Sequence, residues 1–407
     1  MKPNTPIEHG MLEPVFYSIS RMLERASYYG LRALVVMYMV SDILQMDRTE
    51  AMRLFGWVSG LLLVSQVLGG VLGDLVIGNR YAVIVGGLFQ AAGAFVLCIP
   101  TMYGLYGGLV LILLGSGLYG PNIISNFGKL YLKNTKLLDA GYTTFYLAVN
   151  VGSFLGVFIV GYIGNSYGYD FGFGMAGVLM LISLIPVLFT KNRVSTDSYR
   201  KDLPFASRVI KIAIALVVVS LFWGIYEIAN IRVYALQSQF KVIPSLASLN
   251  QLWSSINVVF MIPLAILASV LWRYFYSSSF FKLMLGFVFG VISYGILFFI
   301  PSVATELHAA IFMISLLFLA VSEIHIAPIA FSVLTRYGNP KYLAILVSLA
   351  FIPTRLFAAF FSLFNDSFYK NPIVAVEFGL ISMTIISIAL IMYVLMGGKN
   401  KGRTVSK

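Results

Sequence analysis

The chain has 407 residues, of which 59% are hydrophobic and only 11% charged, and its mean hydropathy is +0.89. A soluble domain carries about 25% charged residues, so this chain lacks the polar surface to cover itself in water, which excludes an ordinary soluble enzyme or binding module. The formal net charge of +12 would suggest nucleic acid in a soluble protein; here the cations gather between apolar runs, read as a topology signal, and imply no nucleic-acid partner.

A membrane-spanning helix needs about 20 mainly apolar residues. Twelve such runs are predicted, over 14–43, 50–76, 81–101, 103–131, 141–164, 169–189, 207–235, 246–273, 279–300, 305–335, 341–364 and 373–396. The first dozen residues are polar and the first apolar stretch is too long for a signal peptide. The one long polar interruption, 190–206, separates an N-terminal six-helix bundle (1–189) from a C-terminal one (207–407) that ends in a short basic tail. Two such halves around a midplane site are a common transporter architecture. With the N-terminus inside, nineteen of the 28 Lys and Arg residues fall in cytoplasmic segments and five in external ones. Both termini are therefore expected in the cytoplasm. Cys98 is the only cysteine and cannot form an intrachain disulfide.

Ionised groups inside these runs are the main functional signal, because a charge at the bilayer centre costs about 2.5–3.5 kcal/mol on insertion scales. The first span carries Arg21, Arg25, Tyr28 and Arg32 at i, i+4, i+7 and i+11, with Glu24 one step away. On a helix these share one narrow face, which must meet a wet cavity or partners on another helix. The fifth span presents Tyr142, Tyr146 and Asn150 on one face, and the seventh presents Trp223, Glu227, Asn230 and Tyr234. The eighth presents Trp253 and Asn257, and the tenth carries Glu323 followed by Pro328. Cations on the first span facing carboxylates on the seventh and tenth would make a dipolar pocket suited to a zwitterion. Simpler readings stand beside this one. Glu24 with Arg25 can be a structural ion pair, and the Tyr and Asn stripes can be interhelical hydrogen bonding. His325, about 200° around the helix from Glu323, reads as a packed neutral histidine. Nothing in the sequence names a partner for Arg355.

Five of these segments resemble, in order, the signatures of the proton-coupled oligopeptide transporter family, a branch of the major facilitator type. Glu24-Arg25-Ala26-Ser27-Tyr28-Tyr29-Gly30-Leu31-Arg32 is similar to the family's ExxERFxYYG stretch. Gly69-Gly70-Val71-Leu72-Gly73-Asp74, closing with Gly78, resembles its GGxLADRxLG loop. Phe145-Tyr146-Leu147-Ala148-Val149-Asn150-Val151-Gly152-Ser153 is similar to FYxxINxG. Phe222-Trp223 with Glu227 resembles FWxxxEQ, and Ser322-Glu323 with Pro328 resembles ELxLSP. The resemblance implies that Arg32 receives a peptide carboxylate and Glu323 holds the amino terminus. Asn150 and Tyr28 or Tyr29 would contact the peptide backbone, and Glu227 would pair with Arg32 as a gate. Asp74 would tie helix ends together on the cytoplasmic side. There are departures. Arg21 stands where the family has its first glutamate, Gly120 where it has a helix-four lysine, Ala26 where it has an aromatic, and Ile228 where glutamine is usual. Glu to Arg adds two charges and Lys to Gly removes one, leaving the pocket one positive charge richer.

The expected fold class is thus an all-α membrane protein of the major facilitator type, with two six-helix bundles and twelve transmembrane helices. The expected function is secondary transport of di- or tripeptides, or related zwitterions, by alternating access, with protons as a further partner. A carrier of a different anionic solute and a non-transporting sensor or scaffold are the alternatives. The candidate substrate-binding residues are Arg32, Tyr28, Tyr29, Asn150, Tyr146, Glu323, Asn257 and Trp253. Coupling and gating candidates are Glu227, Arg32, Glu24 and Arg25, and Asp74 is conformational. No nucleophile–base pair, metal-ligand spacing or phosphate loop is visible, so neither catalysis nor a cofactor is expected. A monomer in the plasma (inner) membrane is expected, with peptide or small solute and lipid as its partners.

Overall fold

The computed structural model describes residues 8–191, 203–249, 253, 256–275, 277–362 and 365–403. Residues 192–202 of the expected linker and the end of the basic tail lie outside the described residues, as does the side chain of Arg355. The chain divides into two compact units: Met1–Pro204 with Leu334–Phe351, and Phe205–Val333 with Ile352–Lys407.

The first unit begins with α1 (Glu8–Val40), 33 residues long and so about 50 Å along its axis. After a short turn, Asp47 starts α2 (Arg48–Leu72) by accepting from the Thr49 and Glu50 amides at 2.8 and 3.3 Å, satisfying two donors that a helix start leaves open. Its carboxyl is held below the ordinary carboxylate range, chiefly by the Thr49 amide. A π-helical turn, Gly73–Ile77, follows α2 directly; then come α3 (Asn79–Leu97), α4 (Met102–Lys129), α5 (Leu138–Tyr167) and α6 (Tyr169–Leu188).

Glycines set the closest packing of this unit. A Cβ on Gly86 of α3 would lie 2.7 Å from Gly115 O of α4, and one on Gly115 would lie 2.5 Å from Gly86 O. Small residues let membrane helices approach backbone to backbone, where no hydrophobic force separates lipid from protein. Gly152 and Gly156 of α5 do the same against Met22 and Ala26 of α1. A buried cluster, with Leu34, Tyr38, Leu105, Val160 and Phe173 among its members, draws together α1, α3, α4, α5 and α6.

The second unit starts with α7 (Phe205–Val242), followed by α8 (Ile256–Tyr274), α9 (Ser279–Leu297) and α10 (His308–Tyr337). The short helix α11 (Leu343–Leu349), which with the end of α10 from Leu334 onward belongs to the first unit, and α12 (Phe351–Ser362) precede α13 (Asn365–Lys370) and α14 (Pro372–Arg403). Arg232, buried in α7, donates to the Ile300 and Pro301 carbonyls at 3.1 and 2.6 Å, where the chain leaves α9 with unsatisfied acceptors. On α14, Ile381, Ile385, Ile388, Met392 and Leu395 are exposed while Ala375, Val376, Met383 and Leu390 are buried. An apolar stripe turned outward at helical spacing is what lipid requires of a helix.

Among the described residues, ten helical stretches are long and apolar enough to cross a membrane. The two other predicted runs are present in different form. Helix α1 has the length, but Arg21, Glu24, Arg25 and Arg32 break its apolar character. The predicted run 341–364 is divided at Ala350 into α11 and α12, three residues before Pro353, whose missing N–H and bulky ring disfavour a continuous helix.

Candidate functional site

In the first unit the charged face of α1 folds into a buried trio. Glu24, with no exposed surface, accepts from Arg21 Nη1 at 3.0 Å and from Arg25 Nε at 2.7 Å, and its second oxygen meets Arg25 Nη2. The Arg25 guanidinium lies 4.6 Å from the Tyr28 ring centre, and Tyr28 meets Tyr29 edge-on at 5.6 Å. Ser20 and Tyr119 hydrogen-bond at 2.6 Å, fastening α1 to α4 beside this trio. Two-point pairing of Arg with a carboxylate is among the stronger polar contacts. Here it holds three charged side chains together where Glu24 has no exposed surface.

Arg32 sits two turns further along α1. It is exposed, with its guanidinium 5.4 Å from the Phe55 ring centre of α2. It shares a mostly apolar cavity of about 60 Å³ with Tyr28, Phe55, Ser59, Leu62 and Ser116. On α5, Tyr146 and Asn150 are half-buried, and the Asn150 amide donates to Tyr146 O of its own helix at 2.9 Å.

Asp74, in the π-helical turn, is the hub of a second polar group in the same unit. Its Oδ1 accepts from Asn79 Nδ2 at 2.8 Å, and its Oδ2 accepts from the Ile345 amide at 2.9 Å, in the first turn of α11. Lys129 lies 3.8 Å from Asp74 and donates to Asn79 Oδ1 at 2.6 Å, while Asn79 also donates to Asn122 at 2.7 Å. Arg336 bonds Asp139 and Thr135 O in this unit, and Tyr142 bonds Thr335 at 2.8 Å.

In the second unit Glu323 is buried in α10. Its Oε1 accepts from Tyr226 Oη at 2.7 Å and from Asn257 Nδ2 at 2.8 Å. Glu227 is exposed on α7. Of the face predicted with it, Tyr234 is exposed but Asn230 is buried, so these groups do not share one environment. Trp253 is buried in an aromatic stack, 5.1 Å from Phe240 and 6.1 Å from Phe312. His325 packs edge-on to Trp272 at 5.4 Å and bonds Val321 O at 2.7 Å, the arrangement of a packed histidine. No group of His, Cys, Asp and Glu among the described residues could hold a metal ion.

Three partners escaped the sequence reading. Tyr226 precedes Glu227, and the carboxylate drew attention to itself, yet the phenol is the group that reaches Glu323. Asn79 and Lys129 are polar residues at the ends of their apolar runs, where loops are polar anyway. The polar residues Asn122, Ser125 and Asn126, inside a run that also holds Pro121, were the available signal.

A family model described as PTR2, POT family, matches residues 80–261. Over 175 residues the chain is 37% identical to "Uncharacterized transporter YclF" of Bacillus subtilis (strain 168), covering 42% of this chain and 36% of that protein. Over 199 residues it is 30% identical to "Dipeptide and tripeptide permease A" of Pectobacterium carotovorum subsp. carotovorum (strain PC1), covering 48% and 39%. The match thus spans little more than a third of each of these curated relatives. Among solved structures, a peptide transporter POT in complex with sulfate has a TM-score of 0.60 at 24% identity, covering 92% of this chain and 94% of that one. A POT family transporter in complex with a thioalcohol conjugated peptide gives 0.62 at 20%, covering 95% and 96%. The match over residues 80–261 and a fold shared along almost the whole chain agree with the order of the sequence signatures: the chain is a helical membrane protein with the fold of POT family transporters of known structure, and it resembles that family in sequence over residues 80–261.

Proposed function

We propose that this protein carries small peptides or related zwitterionic solutes across the plasma membrane by alternating access, with both termini cytoplasmic and no catalytic step. Glu323 is the observation that supports this most directly. A carboxylate buried in the middle of a membrane helix, held in place by Tyr226 and Asn257, is the counter-charge that a peptide ammonium needs. Arg32, exposed beside Tyr28 and an apolar cavity, suits the carboxylate end, and Tyr29, Asn150 and Tyr146 of the same unit suit the peptide backbone. Asn257 orients Glu323 in this reading, and Trp253 supports Asn257's helix from its aromatic stack. Glu227, exposed on α7, carries the proton in this reading, and its protonation and the binding of solute are the two events that drive the cycle. Either event shifts the balance of conformations only by its differential affinity for them. Glu24 and Arg25 hold α1 in shape, and Asp74 holds α11 against the first unit. The names of two relatives, a dipeptide and tripeptide permease and a POT transporter bound to a peptide conjugate, are in keeping with this solute class.

Titration calorimetry tests it. Glu323→Gln should weaken binding of a free dipeptide about tenfold or more, since truncating one partner of a buried charge pair loses a few kcal/mol. The N-acetylated dipeptide, which has no ammonium, should be nearly indifferent. Equal weakening of both compounds would remove Glu323 from this role.

A further inference from the structure

We propose that the first unit also holds a recognition site for an anionic group of the solute, beyond the carboxylate of a simple zwitterion, on the seam of α1 and α4 between Arg21 and Gly120. This rests on the reading that the protein carries a solute. Charge is the first argument. The buried trio has two guanidinium groups and one carboxylate, leaving one positive charge uncompensated within it. Four other carboxylates of the unit are engaged or distant. Asp74 meets Lys129 and the Ile345 amide, Asp139 meets Arg336, Asp170 opens α6, and Glu13 lies eight residues from Arg21, about 12 Å along the axis.

The second argument is an unanswered donor. Arg21 is 8% exposed, and its Nε–H has no hydrogen-bond partner among the described residues. Ser116 Oγ on α4 is likewise buried without a partner. A buried donor left unpaired is costly, and natural structures rarely keep one without a role.

The third argument is space. Ser20 bonds Tyr119 at 2.6 Å, so the residues that follow them, Arg21 and Gly120, flank the same seam. Neighbouring glycines of α4 are required by packing: a Cβ on Gly115 or Gly117 would lie 2.5 Å from Gly86 O or 2.0 Å from Ser65 Oγ. Gly120 is different. A Cβ there would have a single neighbour within 4 Å, the Gln66 amide nitrogen at 3.9 Å. One turn away on the same face, Ser116 lines the cavity that contains Tyr28 and Arg32. The Gln66 amide is the group shown beside this space, Arg21 and Ser116 are on the two helices that flank it, and among the described residues the carboxylate bonded to Arg21 is Glu24. In this proposal an acidic side chain of a peptide entering the seam is received by the Arg21 guanidinium and the Gln66 amide.

The test uses the purified full chain in chloride-free gluconate buffer. Calorimetry compares alanyl-alanine with alanyl-glutamate, and then titrates sodium chloride alone. The glutamate peptide should bind about tenfold or more tightly, the scale of a charge-assisted hydrogen bond. Arg21→Gln should bring the ratio of the two affinities to near unity. Gly120→Glu, which places a carboxylate in the space, should do the same and covers the case in which Arg21→Gln does not fold. Equal affinities in the unsubstituted protein, or a ratio that survives both variants, would overturn the inference while leaving peptide transport standing. Chloride binding with the two peptides equal would assign the site to a free anion and overturn the solute-borne group. Binding of neither peptide would sink the transport reading, and this inference with it.

Discussion

Replacing Glu24 with glutamine tests the electrostatics of α1 directly. The substitution keeps shape and volume but removes the one negative charge that Arg21 and Arg25 share at 3.0 and 2.7 Å. Both guanidinium groups then sit uncompensated in a region where Glu24 has no exposed surface, so solvent screening gives little relief. Removing one partner of a buried ion pair typically destabilises by about 3–5 kcal/mol, or about two to four powers of ten in the folded-to-unfolded ratio. Denaturant unfolding in detergent, followed by the intrinsic fluorescence of the four tryptophans, measures it. Asp42→Asn, in the exposed turn after α1, is the comparison and should shift stability by no more than about 0.5 kcal/mol. Adding Arg21→Met to Glu24→Gln should recover part of the loss, because it removes one of the two stranded cations. A Glu24→Gln protein as stable as the Asp42→Asn protein would refute the claim that this trio is a buried, mutually dependent unit.

Asp74→Ala should release the first turn of α11 by removing the acceptor of the Ile345 amide; a hydrogen bond to a charged group is worth about 1.5–3 kcal/mol, so deuterium exchange at Ile345 should rise by about one to two powers of ten. Asp47 should show an acid-dependent cap: its folded pKa lies below the unfolded one, so its stabilisation is complete above the unfolded value and lost as pH falls through the folded one. Exchange at the Thr49 and Glu50 amides should therefore speed up in that acid window, beyond the intrinsic pH dependence of exchange, and Asp47→Asn should show no such step. Glu227→Gln should abolish accumulation driven by a pH gradient while leaving solute exchange between loaded vesicles intact, and continued accumulation would mean that another group carries the proton.

What the sequence made legible was local. Apolar run length gave the helices, and spacing along one helix put Arg21 and Tyr28 near Glu24, because residues three and four apart meet on a helix whatever surrounds it. Partners from other helices were not legible. Nothing in a linear pattern says that Asn257 and Tyr226, 66 and 97 residues from Glu323, both donate to it, or that Asp74 caps an amide 271 residues away. Adjacent residues also divide between environments: Tyr226 turns to Glu323 while Glu227, about 100° further around α7, is exposed. Trp253 has the composition of a cavity residue, and only its stack with Phe240 and Phe312 shows that its ring is occupied by packing. The break at Ala350 was foreshadowed by Pro353, but Pro263 and Pro328 lie inside helices that continue, so proline alone did not decide it.

Uptake of a labelled dipeptide into proteoliposomes under an inward proton gradient measures the proposed function itself. Saturable uptake above that of protein-free vesicles is predicted, competed by unlabelled free dipeptide but much less by its N-acetylated form, and largely lost in Glu323→Gln. Uptake no greater than in protein-free vesicles, for neutral and acidic dipeptides alike, from protein that remains folded and monodisperse, would contradict peptide transport by this chain.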